Sequence, residues 1–277
     1  MLRKVKKMTS GYFEQSFEVR KDLNKIGKVK SLITKLDRDF GKDSTGRISS
    51  RHKGGGAKRA YRIISELSDL KAVSAKVLDL QYDPNRSANI ALIELDDKTK
   101  KYILAPAGLK AGDEIKLKES GNMNSGDRAM LLNIPVGSSV HNIEIRPQSR
   151  GVFAKAAGTY ATFMAIEEGY ALLKMPSGEL RRVNAKCYAS VGTVSNNEHS
   201  IVRIGMAGRN RHKGIRPNVR GKAMNPNSHP HGGGEAVNPI GLKYPKTPWG
   251  KIAIGKKTRK KKLSDKLIVK HRAKKKR

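Results

Sequence analysis

"AVSAKVLDLQYDPNRSANIALIELDDKTKKYILAP" (residues 72–106) is the stretch from which the fold can be read. Over 72–83 apolar and polar residues alternate, the period of a strand with one wet face. "NIALIELDD" (89–97) and "KYILAP" (101–106) flank the turn-like Asp96-Asp97-Lys98-Thr99-Lys100, a hairpin signal. Asp83-Pro84-Asn85 predicts a turn that presents Arg86, because an Asp side chain can bond the backbone two residues on and proline presets φ. Downstream, "AGDEIKLK" (111–118) reads as a turn and a short strand. "SSVHNIEIRP" (138–147) sets Val140, Asn142 and Glu144 against His141, Ile143 and Ile145, one further strand. "TYATFMAIEEGYALLKMPSGELRRVNAKCYASVGTV" (159–194) gives four β runs broken by Glu-Glu-Gly and Pro-Ser-Gly. Short strands at such regular spacing predict a mainly β chain with two small barrels in tandem, at 61–127 and 128–200.

Charge separates this centre from its flanks. The 277 residues carry a formal charge of +34, and a self-repelling chain of that kind calls for an anionic partner. Residues 1–60 hold 17 Lys+Arg and 6 Asp+Glu, residues 61–200 hold 18 and 16, and residues 201–277 hold 23 and 2. A near-neutral centre therefore carries a basic N-terminal extension (1–60) and a basic, extended C-terminal region (201–277). No run of 18 apolar residues is present, and "MLRKVKKMTSGYF" lacks the apolar core of a secretory signal, so no membrane association is expected. One cysteine, Cys187, excludes an internal disulfide framework. An aromatic content of 5% argues against RNA contacts dominated by many stacking platforms. Within the C-terminal region, "DKLIVKH" (265–271) suits one helical turn or a strand equally.

Four motifs carry candidate chemistry. "RHKGGGAKRAYR" (51–62) has the glycines that let backbone approach a phosphate, flanked by Arg51, Lys53, Lys58, Arg59 and Arg62. It lacks the Gly-Lys-Ser/Thr ending of a P-loop, and a flexible basic linker is the equal alternative. Arg86 is posed for a phosphate or simply solvated. "GRNRHKGIRPNVRGKAMNP" (208–226) spaces Arg209, Arg211, Lys213, Arg216, Arg220 and Lys222 through Gly and Pro with no helical or strand period. It reads as a ribbon setting guanidinium groups against successive phosphates, with disorder in the free chain as the alternative. "NPNSHPHGGGE" (225–235) admits a metal site of His229 and His231 with Glu235 or His212, a general base at His229, or a loop threading RNA with imidazoles donating to phosphate or 2′-hydroxyl. Ser228 stands where an orienting carboxylate would be wanted, and the local excess of Arg and Lys favours the loop. His141 reads as a core histidine, Cys187 as a small buried hydrophobe, and Trp249 as an anchor for the ribbon.

These residues in this order resemble the ribosomal protein uL2 family, the bacterial or organellar type of large-subunit L2. The resemblance rests on "GRISSRHKGGGAKRAYRI", "LQYDPNRSANIALIE", "YILAPAGLKAGD", "NIPVGSSVHNIE", "RPNVRGKAMNPNSHPHGGGE" and "TPWGK", and runs from about residue 46 to residue 270. It implies an OB-like barrel followed by an SH3-like barrel with long basic extensions. It also implies binding to large-subunit rRNA, support of the peptidyl-transferase region, contact with the small subunit across an intersubunit bridge, and neighbours among other ribosomal proteins. The location implied is the cytoplasmic ribosome of a bacterium or an organellar ribosome. No metal site, no enzyme activity and no cofactor are implied beyond Mg2+ shared with the rRNA.

Carried over by motif, the RNA-facing positions are Arg51, His52, Gly54, Gly55, Gly56, Arg62, Arg86, Lys155, Arg216, Arg220, His229, His231 and Gly232. Lys53, Arg59, Arg150, Arg211, His212 and Lys213 complete the expected set. The chain departs from the family at "RPQSRG" (146–151), where Arg150 replaces glycine-rich backbone, at Asn227-Ser228 before the first histidine, and at His212, where an aromatic residue is usual. Two rival functions stand beside this reading: direct participation in peptidyl transfer through His229, and nonspecific compaction of nucleic acid. The near-neutral double-barrel centre disfavours the second, since a pure charge binder needs no such core.

Overall fold

The computed structural model describes residues 2–4, 9, 14–20, 23, 25–66, 68, 73–117, 121–235 and 239–273. Most of the opening stretch 1–13 and the end of the basic tail, residues 274–277, lie outside them. The chain forms two units: one of Met1–Asp37, Lys58–Met206 and Ser264–Arg277, the other of Arg38–Ala57 and Ala207–Leu263. No described helix is long and apolar enough to cross a membrane.

All described strands belong to the first unit. They are β1 (Leu2–Lys4), β2 (Ser16–Glu18), β3 (Ile33–Lys35), β4 (Ala60–Arg62), β5 (Ser74–Gln81), β6 (Ile90–Leu95), β7 (Lys100–Leu104), β8 (Glu114–Lys116), β9 (Arg128–Met130), β10 (Ser139–His141), β11 (Ile143–Glu144), β12 (Gly151–Phe153), β13 (Ala161–Glu167), β14 (Tyr170–Lys174), β15 (Leu180–Asn184), β16 (Tyr188–Val191) and β17 (Ile268–Lys270). The expected hairpin is β6–β7, antiparallel, with Ile90 opposite Leu104. It joins a four-stranded sheet in the order β7-β6-β5-β8. One face packs Ala75, Val77, Ala91, Ile93, Ile103 and Ile115 into a core.

The other face of that sheet is not wet, contrary to the alternation read over 72–83. Ile90, Leu92 and Tyr102 on it pack with Leu78 of β5 and are covered by Val29, Leu32 and Ile64. Asp79 and Gln81, both buried, explain how a polar strand face can be covered. Asp79 accepts from the backbone N–H groups of Lys25 (3.3 Å) and Ile26 (2.9 Å), and Gln81 Nε2 donates to Ile26 O (2.9 Å). Tyr102 Oη donates to Gln81 Oε1 at 3.0 Å. Part of the basic N-terminal stretch is thus docked on the sheet through partners that satisfy otherwise costly buried groups.

The second sheet has the order β17-β15-β14-β13-β10-β16-β9. Its core gathers Leu131, Val140, Ile143, Phe163, Leu173, Val183 and Cys187. Burial and the neighbouring Glu144 push the Cys187 thiol up to about 11, the behaviour of an inert packed sulfur. The single strand expected over 138–147 is broken into β10 and β11 at Asn142, whose φ of 50° turns the chain. Both sides of this region are buried, which is why simple alternation misread it. "DKLIVKH" supplies one 3-10 turn (Leu263–Leu267) and then β17, which adds to β15 with Leu180 opposite Lys270.

Two backbone bonds and one backbone-to-hydroxyl bond join the sheets: Ala107 N donates to Thr193 O (2.8 Å), Ser195 N to Ala105 O (3.1 Å), and Asn89 N to Ser195 Oγ (3.1 Å). The same unit buries Arg128, a residue 1% exposed. Its Nη2 donates to Glu66 Oε2 (2.5 Å) and Glu144 Oε1 (2.8 Å), its Nη1 to Asn142 O (3.1 Å) and its Nε to Ser68 Oγ (3.0 Å). Glu66 and Glu144 also accept from Gly151 N (2.8 Å) and Tyr188 N (3.1 Å). The cluster is buried but closely paired, the condition under which buried charge is tolerated.

Candidate nucleic-acid interface

The second unit brings the two glycine-rich motifs together. Gly54 N donates to Gly214 O (2.8 Å), Ala57 N to His212 O (2.8 Å) and Arg216 N to His52 O (3.1 Å), so residues 52–57 lie along 212–216. This pairing requires glycine at Gly56. Gly56 has φ +62°, and a Cβ there would stand 2.7 Å from His212 O and 2.8 Å from Gly214 N. His52 adopts the left-handed region with φ 61°, and its Nδ1–H donates to Pro217 O at 3.1 Å. Gly55 O accepts from Arg38. The helix α1 (Ala207–His212) delivers Arg211 and His212 into the same arch. Arg51, His52, Lys53, Arg211, His212, Lys213, Arg216 and Arg220 are all exposed on this unit.

The histidine loop is closed on itself. His229 N donates to Asn225 O (3.2 Å), Gly232 N to His229 O (2.8 Å) and Gly233 N to Met224 O (3.1 Å). A Cβ on Gly232 would lie 2.2 Å from Asn225 O, and Gly233 has φ +85° with Pro226 Cγ 2.9 Å from its Cβ position. Close approach of RNA was the expected reason for these glycines, but the loop's own backbone already demands them. Among the described residues of this unit His229 alone is buried, 8% exposed, with its ring over Gly221 where no Cβ could fit. His229 Nδ1 accepts from His231 N (3.0 Å), and His231 Nε2 accepts from Lys246 N (2.9 Å). The two rings are 4.8 Å apart. A ring that accepts at Nδ1 carries its neutral-state proton on Nε2, so His229 presents a donor and not a base. Among the described residues no group of three His, Cys, Asp or Glu side chains could hold a metal ion.

Several of the expected residues sit in the first unit in a different setting. Arg62, 3% exposed, pairs with Asp83 Oδ1 at 3.4 Å. Arg86 Nε lies 3.0 Å from Asp83 Oδ2, and its Nη2 donates to Arg62 O (3.1 Å). Arg59 Nη1 donates to Pro84 O (3.1 Å). The Asp83-Pro84-Asn85 turn forms as read, with Asn85 N donating to Asp83 Oδ1 (3.0 Å). Lys155 Nζ donates to Gly151 O (2.8 Å), and burial lowers its pKa from the ordinary lysine value. Arg150 is exposed.

The units differ in charge density. The second unit has 77 residues with 20 Lys+Arg and three acidic residues, a net of +17. The first carries the same net charge on 200 residues. Sequence reading missed Asn225, Gly221 and Lys246, the residues that hold the histidines; only the Asn-Pro before the loop hinted at a turn.

Two family models match the chain. The RNA-binding N-terminal domain of Ribosomal Proteins L2 matches residues 29–117, and the C-terminal domain of Ribosomal Proteins L2 matches residues 124–250. The first begins within the stretch docked through Val29 and Leu32. The mainly β architecture is consistent with an OB-like barrel followed by an SH3-like barrel.

Proposed function

The chain belongs to the ribosomal protein L2 family, and from that premise we propose that its second unit is the primary grip on large-subunit rRNA, while the first unit holds the two apolar cores. The protein is a large-subunit ribosomal protein that binds RNA, a structural constituent and not an enzyme. The finer reading is that it supports the peptidyl-transferase region, touches other ribosomal proteins and reaches the small subunit across a bridge. Any Mg2+ at the interface belongs to the RNA as much as to the protein. One observation carries the reading: 20 cations stand on a unit whose single buried described residue is a histidine. Such a body has little apolar burial to order it, whereas phosphates neutralise it and accept its donors.

Co-sedimentation with the large subunit in high salt, followed by crosslink mapping, tests this. Crosslinks from 207–232 to rRNA around the peptidyl-transferase region are expected; crosslinks confined to the sheets would overturn it. The same geometry disfavours catalysis by His229. Large subunits assembled with His229→Gln, which keeps a donor and cannot act as a base, should transfer peptides at near-normal rates. A loss of about 100-fold or more with normal assembly is the size of a missing general base and would restore the catalytic reading.

A further inference from the structure

Trp249, the chain's single tryptophan, is 72% exposed. It stands at the tip of a tight hairpin in the second unit. Lys246 and Ile252 pair across it, Thr247 N donates to Lys251 O (2.7 Å), and Gly250, at φ +76°, closes the turn with Gly250 N to Thr247 O (2.9 Å). Large indole rings are ordinarily among the better-covered side chains, so a rigid turn that holds one in solvent calls for a partner. One side already has a partner: the Arg51 guanidinium carbon lies 4.9 Å from the ring centroid. The hairpin's legs contribute Lys246 and Lys251.

We propose that Trp249 is a stacking platform for one unpaired RNA base, which lies on the indole face away from Arg51. This rests on the RNA-binding reading above and adds to it a ligand class. The bracing guanidinium supplies a cation–π contact on one face, and the lysines hold the sugar-phosphate backbone that follows the base. A cationic peptide would be repelled by the same charges. Paired bases in an A-form helix present edges and phosphates, not open faces, so the platform selects a base that is out of its helix.

The test uses the full-length protein, because emission from its only tryptophan reports this ring alone. The probes are single-stranded oligoadenylate and an RNA duplex with the same number of phosphates. Oligoadenylate is expected to quench Trp249 strongly and the duplex to bind with little quenching. Trp249→Ala should weaken oligoadenylate binding by roughly 5- to 150-fold, the size of one lost aromatic stack, and leave the salt dependence unchanged since no charge is removed. Trp249→Phe should recover part of the affinity. Normal oligoadenylate binding without quenching, or equal quenching by the duplex, would overturn the stacking assignment and leave RNA binding intact. The absence of binding to either RNA would overturn the RNA-binding reading itself, and the platform with it. Quenching is measured on the unaltered chain, so the test does not depend on any variant folding.

Discussion

Asp83 is fully buried, and a buried carboxylate without partners is costly. Arg62 and Arg86 supply those partners, so the two arginines that looked like phosphate ligands in sequence are engaged inside the protein. Nothing in "YDPNRSANIAL" or "AKRAYR" distinguishes an arginine aimed at a carboxylate from one aimed at a phosphate, because the pairing crosses two elements. The distinction is measurable. Arg62→Ala should destabilise the protein by about 3–5 kcal/mol, the cost of breaking a buried pair, and leave the salt dependence of RNA binding as it was. Arg216→Ala, at an exposed position, should change stability by no more than about 0.5 kcal/mol and flatten the log–log salt slope by about 0.7–0.9. Urea melts and binding titrations across salt would show the two patterns; their exchange would return Arg62 to the RNA. His141 makes a second prediction. Burial, opposed by its bond to Gly192 O and aided by the charge of Arg128, lowers its pKa from 6.5 to about 4. The folded ring is then neutral where the unfolded ring takes up a proton. Its contribution is complete above pH 6.5 and is lost as the pH falls toward 4. Between neutrality and pH about 4.5 the protein should lose roughly 2–3 kcal/mol more than His141→Gln, which keeps a donor for Gly192 and does not titrate. Parallel urea midpoints for the two proteins would expose an error in this assignment.

Among elements, what sequence made legible is local. The β6–β7 hairpin runs from Ile90 to Leu104 around Lys98, which takes φ 59° in the turn, and both halves of its signal lie within one short stretch. What it hid is either non-local or two-sided. The docking of residues 25–29 depends on Asp79 and Gln81, far along the chain, and nothing in the alternation of β5 distinguishes these two buried polar side chains from its exposed Lys76. The histidine loop is legible as a motif, but the internal contacts of its glycines are not. Their role is fixed by Asn225 O and Pro226, which no periodicity reports. Gly232→Ala must therefore open the loop before any RNA is present. Exchange of the Gly233 and His231 amides, held by Met224 O and His229 Nδ1, should accelerate by about tenfold for each 1.4 kcal/mol of opening. Unchanged protection in the free variant would hand the glycines back to the RNA.

On the scale of the whole molecule, equal net charge on two units of very different size has a consequence for order. The first unit has two apolar cores and a fully paired buried cluster, so its +17 is a modest perturbation. The second holds its +17 on 77 residues around one buried histidine, with backbone bonds and turns in place of a core. Self-repulsion is screened over roughly 10 Å at about 0.1 M salt and reaches farther at lower ionic strength. In the free protein, then, salt should tighten the second unit and leave the first almost unaffected. Bound to RNA the sign reverses, because phosphates already neutralise the cations and added salt competes for them. Hydrogen exchange read peptide by peptide on the full chain distinguishes the two regimes. Without RNA, peptides from 207–232 should gain protection as salt rises, while those from β6 and β13 stay protected throughout. With large-subunit rRNA the same 207–232 peptides should begin strongly protected and lose protection as salt rises. If they were as protected as β6 in the free protein at low salt, backbone bonding alone would suffice to order the unit, and the proposed dependence of its order on RNA would be wrong.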